Sequence, residues 1–328
     1  MQRGVQTAVV RSNSAILIAL AVTIWAASHT GAALSSAQAS RIQQTLGGNS
    51  PSSTRSLPAP VRFREVSGRG LLARAWVNGA GPFNFALDTG AGANILSARV
   101  ARTAGVAYAG GRAVAISGLS GAGGGAAREA KVRSLALGER NNLLPAHAEV
   151  LVTDTLPPDL DGVIDPSESY YPLGYTIDLP AATLTAFDPR SAPLRAGDAP
   201  PGGTVVRWLT DGDTRRPFVQ LDNGRRALLD TGSGFGLALD ESAGRAFGVG
   251  ADVGRERAGV HDLGRGHVGA RRIAPVTIQI GGLVLRRIPT DLLFGAASDA
   301  PVILGRDALR PFQLSFDPVN RLVRIAPR

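Results

Sequence analysis

A chain of 328 residues with 44% hydrophobic side chains, 41 glycines, 21 prolines and no cysteine is long enough for about two cored domains. That composition excludes wholesale disorder, disulfide frameworks, thiol nucleophiles and Cys-ligated metal. The net charge of +9 is nearly all arginine, with Lys131 the only lysine, and its pairs (Arg215-Arg216, Arg225-Arg226, Arg271-Arg272, Arg286-Arg287) are scattered rather than gathered into a stripe. Such a distribution argues against a nucleic-acid partner.

The N-terminus reads as an export signal over residues 1–39: Arg3 and Arg11 precede a short apolar core, Ala15 to Ala27, and Ala37-Gln38-Ala39 supplies a small-x-small cleavage site. Left uncleaved, this segment would be a membrane anchor, the only membrane contact foreseen. No other apolar run long enough to span a bilayer follows, which excludes a polytopic membrane protein. Export without cysteines suits a bacterial periplasm or cell envelope. Residues 40–61 are rich in Ser, Pro and Gly and read as a flexible tether. A second stretch of that character, 191–203, divides the remainder into an N-terminal lobe, 62–190, and a C-terminal lobe, 204–328.

In the first lobe, Asn78-Gly79 signals a hairpin, and an apolar strand, Phe83 to Leu87, leads into Asp88-Thr89-Gly90. A short helix capped by Ser97 follows and ends at Gly105-Val106. The second lobe repeats this order: Asn223-Gly224, the strand Arg226 to Leu229, Asp230-Thr231-Gly232, and a helix capped by Asp240 that ends at Gly248-Val249. Towards each lobe's end, Val163 through Asp178 aligns without a gap to Val302 through Asp317. Alternating runs such as Val276 to Ile280 read as half-buried strands. The chain is therefore read as an internal repeat, all-β with short helices.

One Asp-Thr-Gly is an ordinary strand-to-turn signal. Two copies in equivalent places of paired lobes would bring Asp88 and Asp230 together. Two adjacent carboxylates cannot both ionise cheaply and so share a proton, leaving one as a general base on water and the other as an acid. Gly90 and Gly232 permit close backbone approach, and the hydroxyls of Thr89 and Thr231 can tie the two loops together. Ser233 is placed to hydrogen-bond Asp230, whereas Ala91 offers Asp88 no such bond. The reaction needs no cofactor, and His261, Asp262 and His267 lack a metal-ligand spacing.

The segments Phe85 to Ala93 and Leu228 to Gly234 resemble the active-site loops of pepsin-like and retropepsin-like aspartic proteases. Val302 to Leu309 with Phe316-Asp317-Pro318 resembles the hydrophobic-hydrophobic-Gly segment and closing strand of the bacterial retropepsin-like family. The resemblance implies two tandem, pseudo-symmetric acid-protease β-barrel lobes, each giving one aspartate. It also implies Gly-rich flaps over the cleft, with Gly121, Gly123, Gly264 and Gly266 as candidates, and a peptide or protein substrate. The similar lobe sizes and short linker favour pairing of the lobes within one chain, a monomer, over pairing with a lobe of another chain. One departure stands out: Asp165-Pro166 aligns with Leu304-Gly305, so the first lobe's side of the cleft is expected to differ. A duplicated β protein that binds peptides or envelope ligands without cleaving them is the alternative.

Overall fold

The computed structural model describes residues 56–328 apart from 111–112, 118–124, 147–148, 213, 251–253, 258–259, 263–267 and 295–300, together with two short strands, Leu17–Ala19 and Thr23–Ile24. The signal segment and most of the tether otherwise lie outside the described residues, as do the flap candidates Gly121, Gly123, Gly264 and Gly266. The protein is mostly β, with several sheets and a few helices of four to six residues. No helix among the described residues is long and apolar enough to cross a membrane.

Two sheets carry the same strand order. In the first, Gly70–Val77, Ala80–Leu87, Gly162–Ile164, Ile95–Ser97, Glu149–Thr153 and Gly125–Lys131 lie side by side. In the second, Thr214–Gln220, Arg226–Asp230, Val302–Gly305, Leu237–Asp240, Leu283–Phe294 and Gly269–Ile280 follow the same sequence of neighbours. The senses agree too. The strand before each Asp-Thr-Gly runs parallel to 162–164 or 302–305, which in turn runs antiparallel to 95–97 or 237–240.

Local chemistry explains these elements. Asn78 and Gly79 both take positive φ, 51° and 81°, the backbone that a tight two-residue hairpin requires and that Asn-Gly adopts at least cost. Phe85, Ala86 and Leu87 are each fully buried, as befits a strand covered on both faces. The Ser97 hydroxyl accepts from Val100 N at 3.2 Å, and the Asp240 carboxylate accepts from Ala243 N at 2.5 Å, opening the helices Ala98–Thr103 and Glu241–Ala246. Helices this short have little stability alone. Each is held by buried residues on its inner face, Val100 and Ala101 in one, Ala243 and Gly244 in the other.

A third sheet joins the two halves of the sequence. Its order is Thr204–Arg207, Leu322–Pro327, Phe312–Asp317, Gly174–Asp178, Thr183–Phe187 and Val61–Arg62, with Tyr175 opposite Phe316 and Ile177 opposite Leu314. Tyr175 stacks on Phe316 at 4.7 Å between centroids, Trp208 meets the edge of Phe316 at 5.9 Å, and Tyr170 lies 6.0 Å from Tyr175. Burial of rings and aliphatic side chains of this kind is worth roughly 1.5–3 kcal/mol each. This apolar centre fixes the underside of the region where the two Asp-Thr-Gly loops meet.

Candidate active site

Each Asp-Thr-Gly stands where a central strand leaves its sheet, and the two loops interlock. Thr89 N donates to the Thr231 hydroxyl at 3.1 Å, and Thr231 N donates to the Thr89 hydroxyl at 3.1 Å. The hydroxyls then reach across: Thr89 Oγ1 donates to Leu229 O at 2.6 Å and Thr231 Oγ1 to Leu87 O at 3.1 Å. All four groups are buried, so the grip is made of hydrogen bonds that water does not contest.

This exchange sets the aspartates face to face. A Cβ added to Gly90 would lie 2.8 Å from Cγ of Asp230, and one added to Gly232 would collide with the carboxyl of Asp88. Only glycine allows each loop to approach the opposite acid so closely. Asp88 and Asp230 are both fully buried, each carboxyl lying against the glycine of the opposite loop. Asp88 Oδ1 accepts from Gly90 N at 2.8 Å; Asp230 Oδ1 accepts from Gly232 N at 2.8 Å and from Ser233 N at 2.9 Å. The Oδ2 atom of each has no hydrogen-bond donor. Two buried acceptor oxygens without donors are costly unless a proton lies between the acids or a polar molecule meets them.

The electrostatics follow. Burial, and then the charge of Asp230, push the Asp88 carboxyl well above the usual carboxylate range, against the pull of the Gly90 N–H. Burial likewise raises Asp230, to about 6. The neighbouring Asp88 carboxyl, the Ser233 N–H, the Arg306 guanidinium and the Gly232 N–H all hold it down.

The supports behind the loops differ. Asp165 is fully buried, caps the helix Pro166–Ser169 by accepting from Ser167 N at 2.7 Å, and accepts from Gly92 N of the first loop at 2.8 Å. Asn94 Oδ1 accepts from Asp165 N at 3.0 Å and from the Ser169 hydroxyl at 2.8 Å, closing the link. Burial, and then Glu168, raise the Asp165 carboxyl well above its ordinary range. Behind the second loop, Arg306 Nη1 donates to Thr231 O at 2.6 Å and Gly232 O at 2.7 Å. Its backbone N donates to Ser233 O at 2.9 Å.

Two sequence expectations need correction. The gapless alignment set Asp165 against Leu304, but the sheets pair Ile164 with Leu87 and Leu304 with Leu229. Asp165 therefore occupies the place of Gly305, and the first half's departure is one residue earlier than expected. Gly305 has no room for a side chain, since a Cβ there would lie 2.5 Å from Phe235 O and 3.0 Å from the Ser233 hydroxyl. The second correction concerns Ser233: its hydroxyl accepts from Phe235 N at 3.3 Å, and the bond to Asp230 comes from its backbone N–H.

Of the residues singled out in the sequence, Asp88, Thr89, Gly90, Asp230, Thr231, Gly232 and Ser233 meet in this buried cluster. Ala91 packs in the apolar cluster beside the first loop, with Ala86, Ile95 and Val163. Arg306 and Asn94 carried no signal of their own; an arginine is unremarkable among 35 basic residues.

Residues 73–166 match the aspartyl protease family. Over that segment the chain is similar to an aspartyl protease domain, which supports a retropepsin-like aspartic protease kinship and suggests aspartic peptidase chemistry. The matched segment contains Asp88-Thr89-Gly90, and its last residues are the Asp165-Pro166 pair behind that loop. No curated protein matches the chain.

Proposed function

We propose that this protein is an aspartic endopeptidase in which Asp88 and Asp230 form one proton-sharing dyad at the floor of a cleft between two tandem retropepsin-like β lobes. The observation that carries the reading is the contact of each carboxyl with the glycine of the opposite loop, which leaves one oxygen of each acid without a donor. The family match over the first loop supports it. So does the agreement in strand order between the two sheets.

Buried and adjacent, the pair holds one proton over a range where isolated aspartates would have lost theirs. One carboxylate takes a proton from water as the water oxygen bonds to the peptide carbonyl carbon. The other acid protonates the carbonyl oxygen, giving a neutral diol. Cleavage of the C–N bond sends its electron pair to nitrogen, which takes up the proton held by the first acid. A diol hydroxyl returns its proton to the second, and the pair is restored. The interlocked threonines serve this chemistry by denying either acid an alternative position.

The substrate is a peptide or protein lying extended between the lobes, and the chain acts as an exported monomer after removal of residues 1–39. The test is hydrolysis of a mixed peptide library by the purified chain from pH 3 to 8, compared with Asp88→Asn and Asp230→Asn. Loss of cleavage in both variants, with folding retained, is the outcome expected. Cleavage that survives either substitution overturns the dyad and favours a binding role.

A further inference from the structure

The two acids have unlike neighbours, and the proteolytic reading above does not by itself say which of them holds the proton. We propose that Arg306 and Asp165 divide the roles, Arg306 keeping Asp230 as the ionised base and Asp165 leaving the shared proton on Asp88, the general acid. The inference rests on that reading for its chemistry but not for its geometry.

Three observations point the same way. Arg306 is 6% exposed and its guanidinium sits on the carbonyls of Thr231 and Gly232, 2.6 and 2.7 Å away, so a buried positive charge backs the second loop. The first loop is backed by Asp165, which stands at the place of Gly305, one position before the counterpart of Arg306, and is a buried acid 2.8 Å from Gly92 N. Asp230 Oδ1 accepts two backbone N–H bonds, and Asp88 Oδ1 accepts one. A nearby cation and extra N–H donors both stabilise a carboxylate, and a nearby acid, once it has lost its own proton, stabilises the protonated form of its neighbour.

Other charged groups modulate these neighbours without reversing them. Glu65 lies 3.5 Å from Arg306 across the loop junction and is itself held by Arg310 at 3.0 Å. Glu168, on the helix that Asp165 caps, pairs with Arg215 at 2.5 Å. The stem of Arg216 flanks Gly92, while its guanidinium pairs with Asp211 at 2.8 Å. The Tyr175 hydroxyl meets Ser167 at 2.7 Å. Arg306 and Asp165 remain the charged groups that hydrogen-bond the loops themselves.

With roles assigned, Asp230 takes the proton from water and later gives it to the leaving nitrogen. Asp88 protonates the carbonyl oxygen and recovers a proton from the diol. The pH profile of kcat/KM then has an acid limb set by Asp230 and a basic limb set by Asp88.

Two measurements test this on the full-length protein. The first follows the carboxyl carbons of Asp88 and Asp230 by NMR in the wild type, assigned with Asp88→Asn and Asp230→Asn. It needs no substrate and no altered neighbour. Asp230 responding at lower pH than Asp88 is expected, and the reverse order, or simultaneous response, overturns the proposal. The second compares pH profiles of peptide cleavage. Arg306→Gln should move the acid limb up by about one pH unit, and Asp165→Asn should move the basic limb down by a similar amount. Unmoved limbs in folded variants would leave both residues with a purely structural part and sink the proposal. Cleavage that persists in Asp88→Asn would overturn the proteolytic reading, while the NMR order still decides the assignment.

Discussion

The first Asp-Thr-Gly loop is held from behind by an acceptor and the second by a donor. Asp165 receives the N–H of Gly92, whereas Arg306 gives its protons to the carbonyls of Thr231 and Gly232. Across the interface that the loops share, the threonine exchange is reciprocal bond for bond. The difference teaches that the constraint on placing two acids lies at the interlock, where both loops must agree. Behind it, each loop can be supported by different chemistry. One feature is common to the two loops and the other differs between them.

Breaking the acids themselves should have the largest effect. Asp88→Asn and Asp230→Asn should each lower kcat by about a thousandfold or more, since a general acid and a general base are both lost with the shared proton. Circular dichroism on the same preparations confirms that the fold remains. Next come the reciprocal threonines. Thr89→Val and Thr231→Val each leave the partner loop's buried N–H and a carbonyl without their bonds, and should each cost about 2–4 kcal/mol in urea unfolding. Values that differ by much more than 1 kcal/mol would mean that the interlock is less even than its geometry.

The supports should respond unequally. Gly305→Ala places a methyl against Phe235 O and the Ser233 hydroxyl, and should destabilise by about 2–3 kcal/mol. Asp165→Gly, which gives the first half the second half's residue, should cost less, about 1–2 kcal/mol, for the lost helix cap and the lost Gly92 partner. Equal costs would show that the two backings are less distinct than proposed.

Stability should also depend on pH in an unusual direction. The folded protein holds the protons of Asp88, Asp165 and Asp230 more tightly than an unfolded chain, whose aspartates release theirs near 3.8. The contribution is therefore complete below that value and is lost as pH rises through about 6 for Asp230. The loss is on the order of 3 kcal/mol. A thermal midpoint that falls over this window, with a flatter slope in Asp230→Asn, is the expected result. Smallest is the effect of Arg69→Ala: its partner Asp159 lies on the surface, and removal should change stability by less than about 1 kcal/mol.

Much of this arrangement was legible in the sequence because it depends on short-range chemistry. Asn78-Gly79, the Ser97 and Asp240 caps and the doubled Asp-Thr-Gly each mark a local backbone requirement. The one-residue slip at Asp165 was not legible. The halves align without a gap from Val163 to Asp178, and only strand pairing with Leu87 and Leu229 reveals that the register shifts there. Arg306 was hidden for another reason. Its value comes from two carbonyls some 75 residues away in the chain, and no periodicity encodes a contact of that kind. Ser233 was read correctly as a ligand of Asp230 but through the wrong atom, since side-chain direction at a turn is set by packing that the sequence does not display.

The sheet built from both halves has a mechanical consequence. Gly174–Asp178 and Phe312–Asp317 form adjacent rungs of one ladder beneath the loops, flanked by Thr183–Phe187 and Leu322–Pro327. Swinging the halves apart like a jaw would shear that ladder and tear Tyr175 from Phe316, so the distance between the loops is set by a riveted plate and not by a hinge. A fragment ending before residue 191 would keep Thr183–Phe187 but lose Phe312–Asp317, exposing the other edge of Gly174–Asp178. A chain nicked within 191–203 would keep both pieces clamped together through the same rungs.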